Sequence, residues 1–176
     1  MKEKIAIIWH DITQLAVDAI VNAANCNLSG GEGVDGAIRW AAGTSLTEEC
    51  SAIGWCETGD AVITKGYDLP AKYVIHAVGP LWRGGNDGED ELLARCYRRC
   101  FEIAALHDVR SIAFPAISSG IYGFPVERGS FIAMNAAQIA LDSIPVLERI
   151  YFIVYSCGVR DVYLNAYERV FEKSGV

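Results

Sequence analysis

A chain of 176 residues with 52% hydrophobic residues and a mean hydropathy of +0.21 can bury a substantial core, which excludes a disordered chain and predicts a single domain over residues 1–176. Lys and Arg number 15 against 22 Asp and Glu, a net charge of -7, so no diffuse positive field exists to collect nucleic acid. No apolar run approaches the roughly eighteen uncharged residues that span a bilayer, and the chain reads as soluble and cytoplasmic, with no membrane partner.

The first apolar run, Lys4 to Trp9, and the second, Ala19 to Asn22, read as buried strands. Helical periodicity follows from Val34 to Ala42, stopped by Gly43, and again from Leu46 to Ile53, stopped by Gly54. Ala61 to Thr64 and Tyr73 to Val78 are two further strands, the latter closed by Gly79-Pro80, and residues 83–88 form a loop by composition. Apolar residues three and four apart make Glu89 to Leu106 a helix, with Cys96 and Cys100 on the same face as Leu92, Leu93 and Ile103. Ser111 to Phe114 is a strand, Pro125 opens a helix over Val126 to Leu141, and Ile150 to Tyr155 is the last strand. Asp161 is placed to cap a final helix to about Phe171. This alternation predicts an α/β fold with a central sheet covered by helices on both faces.

Six cysteines (Cys26, Cys50, Cys56, Cys96, Cys100, Cys157) make no C-x-x-C pair, and no His stands at ligand spacing from them. They are expected to be free and mostly buried thiols, with no metal site. His76 lies inside an apolar run, as a hydrogen-bonded core residue would, and His107 follows a helix as a C-terminal cap would.

Residues 31–36, Gly-Glu-Gly-Val-Asp-Gly, fit the pattern G-x-G-x-x-G. A dinucleotide-binding loop of that type follows directly on the first strand, whereas here Ala23 to Ser29 intervene after the second. A nicotinamide-dependent dehydrogenase is therefore not the reading. What remains is a glycine segment running into a helix N-terminus, a place where free N–H groups and the helix dipole favour an anion, with Asp35 in the first turn. Taken alone, Asp35 has a second reading, stabilisation of its own helix. Upstream, Asn22 and Asn25 put two amides at a strand end. Downstream, Ser118-Ser119-Gly120-Ile121-Tyr122-Gly123 joins a strand to a helix with small residues that let successive amides converge on a phosphate; an ordinary tight connection is the alternative.

Four segments, "DITQLAVDAIVNAAN", "GGEGVDGAIRWAAG", "TGDAVITKGYDLPAKYVIHAVGP" and "FPAISSGIYGFP", resemble in order and spacing the signature segments of macro domains. They are most similar to the MacroD-type branch, which removes ADP-ribose from proteins and deacetylates O-acetyl-ADP-ribose, and the likeness runs from about Ile5 to Tyr155. The resemblance implies a three-layer α/β/α sandwich with a central mixed sheet and an ADP-ribose cleft along the sheet's C-terminal edge.

By matching position, the resemblance implies that Asp11 accepts from the adenine amine beside the Ile12 backbone and that Tyr155 packs on the base. Ser118, Ser119, Gly120, Ile121 and Tyr122 wrap the diphosphate from one side, Gly33 and Val34 from the other. Phe124 packs on the distal ribose, while Asn22, Asn25 and Asp35 meet its hydroxyls and the water near its anomeric carbon. Asp35 and Asn25 are the expected catalytic pair: Asp35 orients or deprotonates the water and Asn25 holds the sugar. The expected partners are ADP-ribose, its esters and mono-ADP-ribosylated proteins, with no cofactor and no metal.

Three positions depart from the branch. His10 replaces a Gly before Asp11, Glu32 replaces a Gly and adds negative charge beside the diphosphate, and Arg39 replaces a His one turn after Asp35. A slower or altered hydrolase is the expectation, and a non-catalytic ADP-ribose reader is the alternative.

Overall fold

The computed structural model describes residues 2–172. Six strands, β1 (Ile5–Trp9), β2 (Ala19–Ala23), β3 (Ala61–Lys65), β4 (Tyr73–Ala77), β5 (Ser111–Phe114) and β6 (Arg149–Val154), form one sheet in the order β1-β6-β5-β2-β4-β3. All neighbours are parallel except the β3–β4 pair, so the sheet is mixed. Five helices complete the α/β/α arrangement: α1 (Gly33–Ala42), α2 (Thr44–Ile53), α3 (Glu89–Leu106), α4 (Val126–Ser143) and α5 (Cys157–Tyr167).

Strand side chains alternate between the faces, and the two cores follow that alternation. Ala19 and Val21 of β2 and Ile75 of β4 pack with Leu93 and Cys96 of α3, Met134 of α4 and Tyr163 of α5. Ile20 of β2 and Val74 of β4 face the other way, onto Ile38 of α1 and Leu46 and Cys50 of α2. Asn22 and His76 share the parity of Ile20 and Val74, so the sheet itself aims both polar side chains beneath α1 and α2.

The predicted strands and the first four helices are present, with ends moved by one or two residues. The last helix differs. It begins at Cys157 with Ser156 as its cap, the Ser156 hydroxyl accepting from the Val159 N–H at 3.2 Å, and Asp161 lies inside it. Its regular turns end at Tyr167, and a π-helical segment covers Glu168–Glu172. A 3-10 turn at Ile12–Gln14, capped by Asp11, was not foreseen in the sequence. All six cysteines are free, and only Cys157 is exposed. Among the described residues, no helix is long and apolar enough to cross a membrane.

Candidate functional site

A cleft of about 500 Å³ runs along the C-terminal ends of the parallel strands. His10, Asp11 and Ile12 reach it from the end of β1, Tyr155 from β6, Ser118 to Tyr122 from the loop after β5, and Asn25 with Gly33 to Asp35 from the segment after β2. This is where open α/β sheets bind ligands, because the loops diverge there and the helix N-termini point inward. Its volume suits a nucleotide-sized ligand.

At one end, Asp11 is partly committed. Its Oδ1 accepts from the Thr13 N–H at 2.9 Å and the Thr13 hydroxyl at 2.8 Å, while no hydrogen bond engages Oδ2 among the described residues. Oδ2 is thus a fixed, unspent acceptor. His10 also lines the cleft, its ring nitrogen donating to the Asp11 carbonyl at 2.9 Å. Tyr155 is exposed at the mouth, as an aromatic waiting for a planar partner would be.

The loop after β5 is held in shape from behind. Ser118 adopts a left-handed φ of 62°, the Phe124 N–H donates to the Ser118 carbonyl at 2.9 Å, and the Trp82 N–H donates to the Tyr122 carbonyl at 2.9 Å. No acceptor among the described residues takes the N–H groups of Gly120, Ile121 or Tyr122. Behind this loop Gly79 leaves no room for a side chain: a Cβ there would stand 2.1 Å from Ser118 Oγ and 2.7 Å from Ile117 Cγ2. Opposite, α1 begins at Gly33 without a side-chain cap, so its first N–H groups are also unspent. Neither Lys nor Arg lines the cleft among the described residues, which leaves backbone amides as the donors for an anion.

Asp35 lies at the junction, 4% exposed yet lining the cleft. Its Oδ1 accepts from Asn22 Nδ2 at 2.8 Å and from Arg39 Nε at 3.0 Å. Both bonds fall on the same oxygen, and Oδ2 faces Gly31, whose Cβ position is 3.7 Å away. Arg39 also donates to the Leu28 carbonyl at 2.7 Å and the Thr47 hydroxyl at 3.3 Å, clamping the segment after β2 to α1 and α2. Asn25 lines the cleft but staples its own loop, donating to the Gly30 carbonyl at 3.0 Å and accepting from the Ser29 N–H at 3.1 Å.

Two sequence expectations need correction. Asn22 is fully buried and does not line the cleft; it stands behind Asp35, because its strand parity points it under α1. Phe124 is likewise buried, 2% exposed, with its ring 4.9 Å from Trp82 and tilted 63° to it, so it braces the loop from inside and offers no face to a sugar. His76 is the hydrogen-bonded core residue expected from the sequence, bonded to Asn22 and Thr64. Burial, with the nearby Arg39 charge second, pushes its pKa down to about 3, so it is neutral at pH 7. His107 caps α3, its Nδ1 donating to the Ile103 carbonyl at 2.9 Å. The sequence reading missed Gly79 as part of the site. Its only signal, a Gly-Pro pair after a strand, reads equally as a strand terminator.

The family model for the macro domain matches residues 21–133. A macro domain-containing protein of Chlorobaculum tepidum is 55% identical over 156 residues, covering 89% of this chain and 91% of that protein. The O-acetyl-ADP-ribose deacetylase of Salmonella typhimurium is 49% identical over 159 residues, covering 88% and 89%. Among solved structures, a variant of the Oceanobacillus iheyensis macrodomain with ADPR superposes with a TM-score of 0.90 at 36% identity, covering 94% of this chain and 92% of that one. The Trypanosoma brucei macrodomain in complex with ADP-ribose gives 0.86 at 38% identity, covering 92% and 68%. Fold, cleft and relatives agree, and the chain belongs to the macro domain family.

Proposed function

We propose that the cleft binds ADP-ribose and hydrolyses its esters: O-acetyl-ADP-ribose, and ADP-ribose linked to Asp or Glu of proteins. Relatives named as O-acetyl-ADP-ribose deacetylases at about half identity, and solved neighbours holding ADP-ribose, support the reading. Asp11 Oδ2 accepts from the adenine amine beside the Ile12 backbone, and Tyr155 covers the base. The diphosphate is held between the N–H groups of Gly120, Ile121 and Tyr122, in the loop from Ser118 to Tyr122, and those of Gly33 and Val34, which lets a chain of net charge -7 bind an anion without a basic side chain. Asn25 holds the distal sugar. Free thiols fit work in a reducing compartment, the cytoplasm.

For a protein ester, Asp35 Oδ2 takes a proton from a water as the water oxygen bonds to the anomeric carbon; the bond to the protein carboxylate breaks, and that carboxylate leaves as an anion. For the acetyl ester the same water, its proton taken by Asp35, adds to the acyl carbon; the bond from that carbon to the ribose oxygen breaks, the ribose oxygen takes the proton back from Asp35, and the acetic acid formed ionises to acetate. The bound diphosphate assists by fixing the water, so much of the rate comes from positioning. The observation that carries the reading is the asymmetry of Asp35, a cleft-lining residue with one oxygen spent on Asn22 and Arg39 and the other without a hydrogen bond among the described residues.

The buried Arg39–Asp35 pair keeps a second reading in play, a reader that binds ADP-ribose and releases nothing. Incubation with O-acetyl-ADP-ribose and with mono-ADP-ribosylated protein, measuring free ADP-ribose, separates the two. Hydrolysis falling about 100- to 10,000-fold in Asp35→Ala is the expected result. Wild-type turnover in that variant removes Asp35 from the mechanism.

A further inference from the structure

Behind Asp35 lies a chain of buried polar groups that ester hydrolysis does not by itself require. Asn22 and His76 are register partners on adjacent parallel strands, and Thr64 lies on the edge strand beyond them. Their exposures are 0% for Asn22, 0% for His76 and 2% for Thr64. Asn22 Nδ2 is 2.8 Å from Asp35 Oδ1 and 3.1 Å from His76 Nδ1; His76 Nε2 is 2.9 Å from Thr64 Oγ1, which donates to the Lys65 carbonyl at 3.2 Å. We propose that His76, oriented by Thr64, is a positioning residue that fixes Asp35 for catalysis through the Asn22 amide. This inference rests on the hydrolytic reading of the site.

Donors and acceptors fix where each proton of this chain sits. An amide nitrogen carries two protons and no available lone pair, so it donates both to Asp35 and to His76. His76 Nδ1 must then be the acceptor, and its proton sits on Nε2. That N–H needs an acceptor in turn, which is the Thr64 hydroxyl at 2.9 Å, with Cys50 Sγ a longer and weaker partner at 3.6 Å; the Thr64 proton goes to the Lys65 carbonyl. The reverse tautomer sets an N–H against the Asn22 N–H groups. The amide then rotates, and its oxygen comes to face the Asp35 carboxylate. The tautomer of His76 therefore decides whether Asp35 Oδ1 is held or repelled.

A second observation points the same way. Asn22 Oδ1 is buried with no hydrogen-bond partner among the described residues, a state that costs about 1–3 kcal/mol. Nothing in core packing calls for an amide with an orphaned oxygen; an apolar side chain fills a sheet face more cheaply. The orphan is what remains when the nitrogen end is committed to Asp35 and His76 together. Neutrality of His76 is secured by its burial, so the relay is not disturbed by charge near pH 7.

Thr64→Val keeps the shape and removes the oxygen acceptor, leaving only the weak Cys50 sulfur, and Thr64→Ser restores the oxygen. The expected result for Thr64→Val is a fall in kcat of about tenfold on O-acetyl-ADP-ribose, the effect of a small misplacement of a catalytic group, with the Kd for ADP-ribose within about twofold of wild type. Thr64→Ser should recover wild-type kcat. Nitrogen-15 NMR of the wild-type imidazole should show the proton on Nε2 and an unprotonated Nδ1, a readout independent of turnover and of whether Thr64→Val folds. A wild-type protein carrying its proton on Nδ1 overturns the proposal, as does unchanged kcat in Thr64→Val. Absence of hydrolysis by the wild type overturns the hydrolytic reading, and with it the catalytic role given to His76; the NMR result then shows only whether the relay's hydrogen bonds exist.

Discussion

Arg39 Nε lies 3.0 Å from Asp35 Oδ1, four residues along α1, with the two side chains only 10% and 6% exposed. Such a pair is held by more than its Coulomb attraction, since the guanidinium also anchors Leu28 and Thr47. The arrangement stabilises the segment after β2 and at the same time draws on the carboxylate proposed as base. Arg39→His relaxes that pull. Turnover on O-acetyl-ADP-ribose should rise about threefold to tenfold as the carboxylate is freed to turn toward the water. Stability should fall by about 1–3 kcal/mol for the lost charged hydrogen bonds, read as a lower Tm. If turnover does not rise, the idea that Arg39 restrains the base fails.

Glu32 precedes α1 with φ at -88° and ψ at -178°, extended backbone open to any residue, and its carboxylate makes no capping bond. The side chain is exposed and lines the cleft, so its contribution is a negative charge near the place proposed for the diphosphate. Glu32→Gly and Glu32→Gln should both tighten ADP-ribose by a few-fold, about 0.5–1 kcal/mol for an exposed like-charge interaction. The wild type should bind more tightly as salt is raised, because screening weakens repulsion, and both variants should lose that trend. Titration calorimetry at two ionic strengths decides it, and equal salt dependence in all three proteins rules the repulsion out.

The strands were legible because each apolar run is short and bounded by glycine, proline or polar residues, and α3 because its apolar spacing persists through Leu106. The start of α5 was not. Ser156 and Asp161 are equally good caps by type, and Cys157-Gly158 looks like loop, so only packing of Val159 and Tyr163 against the sheet selects the earlier start. Asp35 and the two loops that line the cleft beside it were readable from local composition and from the resemblance. Asn22 and Phe124 were misplaced for a related reason. Whether a polar or aromatic side chain enters a cleft or the core depends on strand parity and on partners such as His76 and Trp82, distant in sequence.

Gly79 and Ser118 test the loop itself. A Cβ on residue 79 meets Ser118 Oγ at 2.1 Å and Ile117 Cγ2 at 2.7 Å, and Ser118 is buried in a left-handed conformation with little freedom to retreat. Gly79→Ala should therefore push the loop outward and cost about 1–3 kcal/mol, the usual range for overpacking. With Gly120, Ile121 and Tyr122 displaced, ADP-ribose should bind about tenfold or more weakly, since several backbone donors are lost together. A destabilised variant that retains wild-type Kd would show that this loop does not hold the diphosphate.

His76 gives the fold an acid sensitivity whose sign follows from its two pKa values. Unfolded, the side chain titrates near 6.5; folded, burial and the Arg39 charge push it down to about 3. Between those values the unfolded chain binds a proton that the folded chain refuses, so stability is complete above the upper value and declines as pH falls toward the lower. The slope from this one group approaches about 1.4 kcal/mol per pH unit. Asp18 and Asp60 have depressed pKa values: burial raises them, but ion pairs with Lys72 and Arg99 and backbone N–H donors outweigh it. Their contribution is held above the ordinary carboxylate value of 3.8 and lost below it. That of Glu89, whose pKa burial raises but backbone N–H donors bring down from 4.5 to about 2, is lost below about 4.5, which leaves the window from about 6.5 to about 4.5 to His76. Urea unfolding at steps from about pH 7 to about pH 4 should show falling stability in the wild type and a flatter profile in His76→Gln, which removes the titration. Parallel profiles would mean that the imidazole is reached by protons in the folded state, and the dry chain from Thr64 to Asp35 would then be open to solvent.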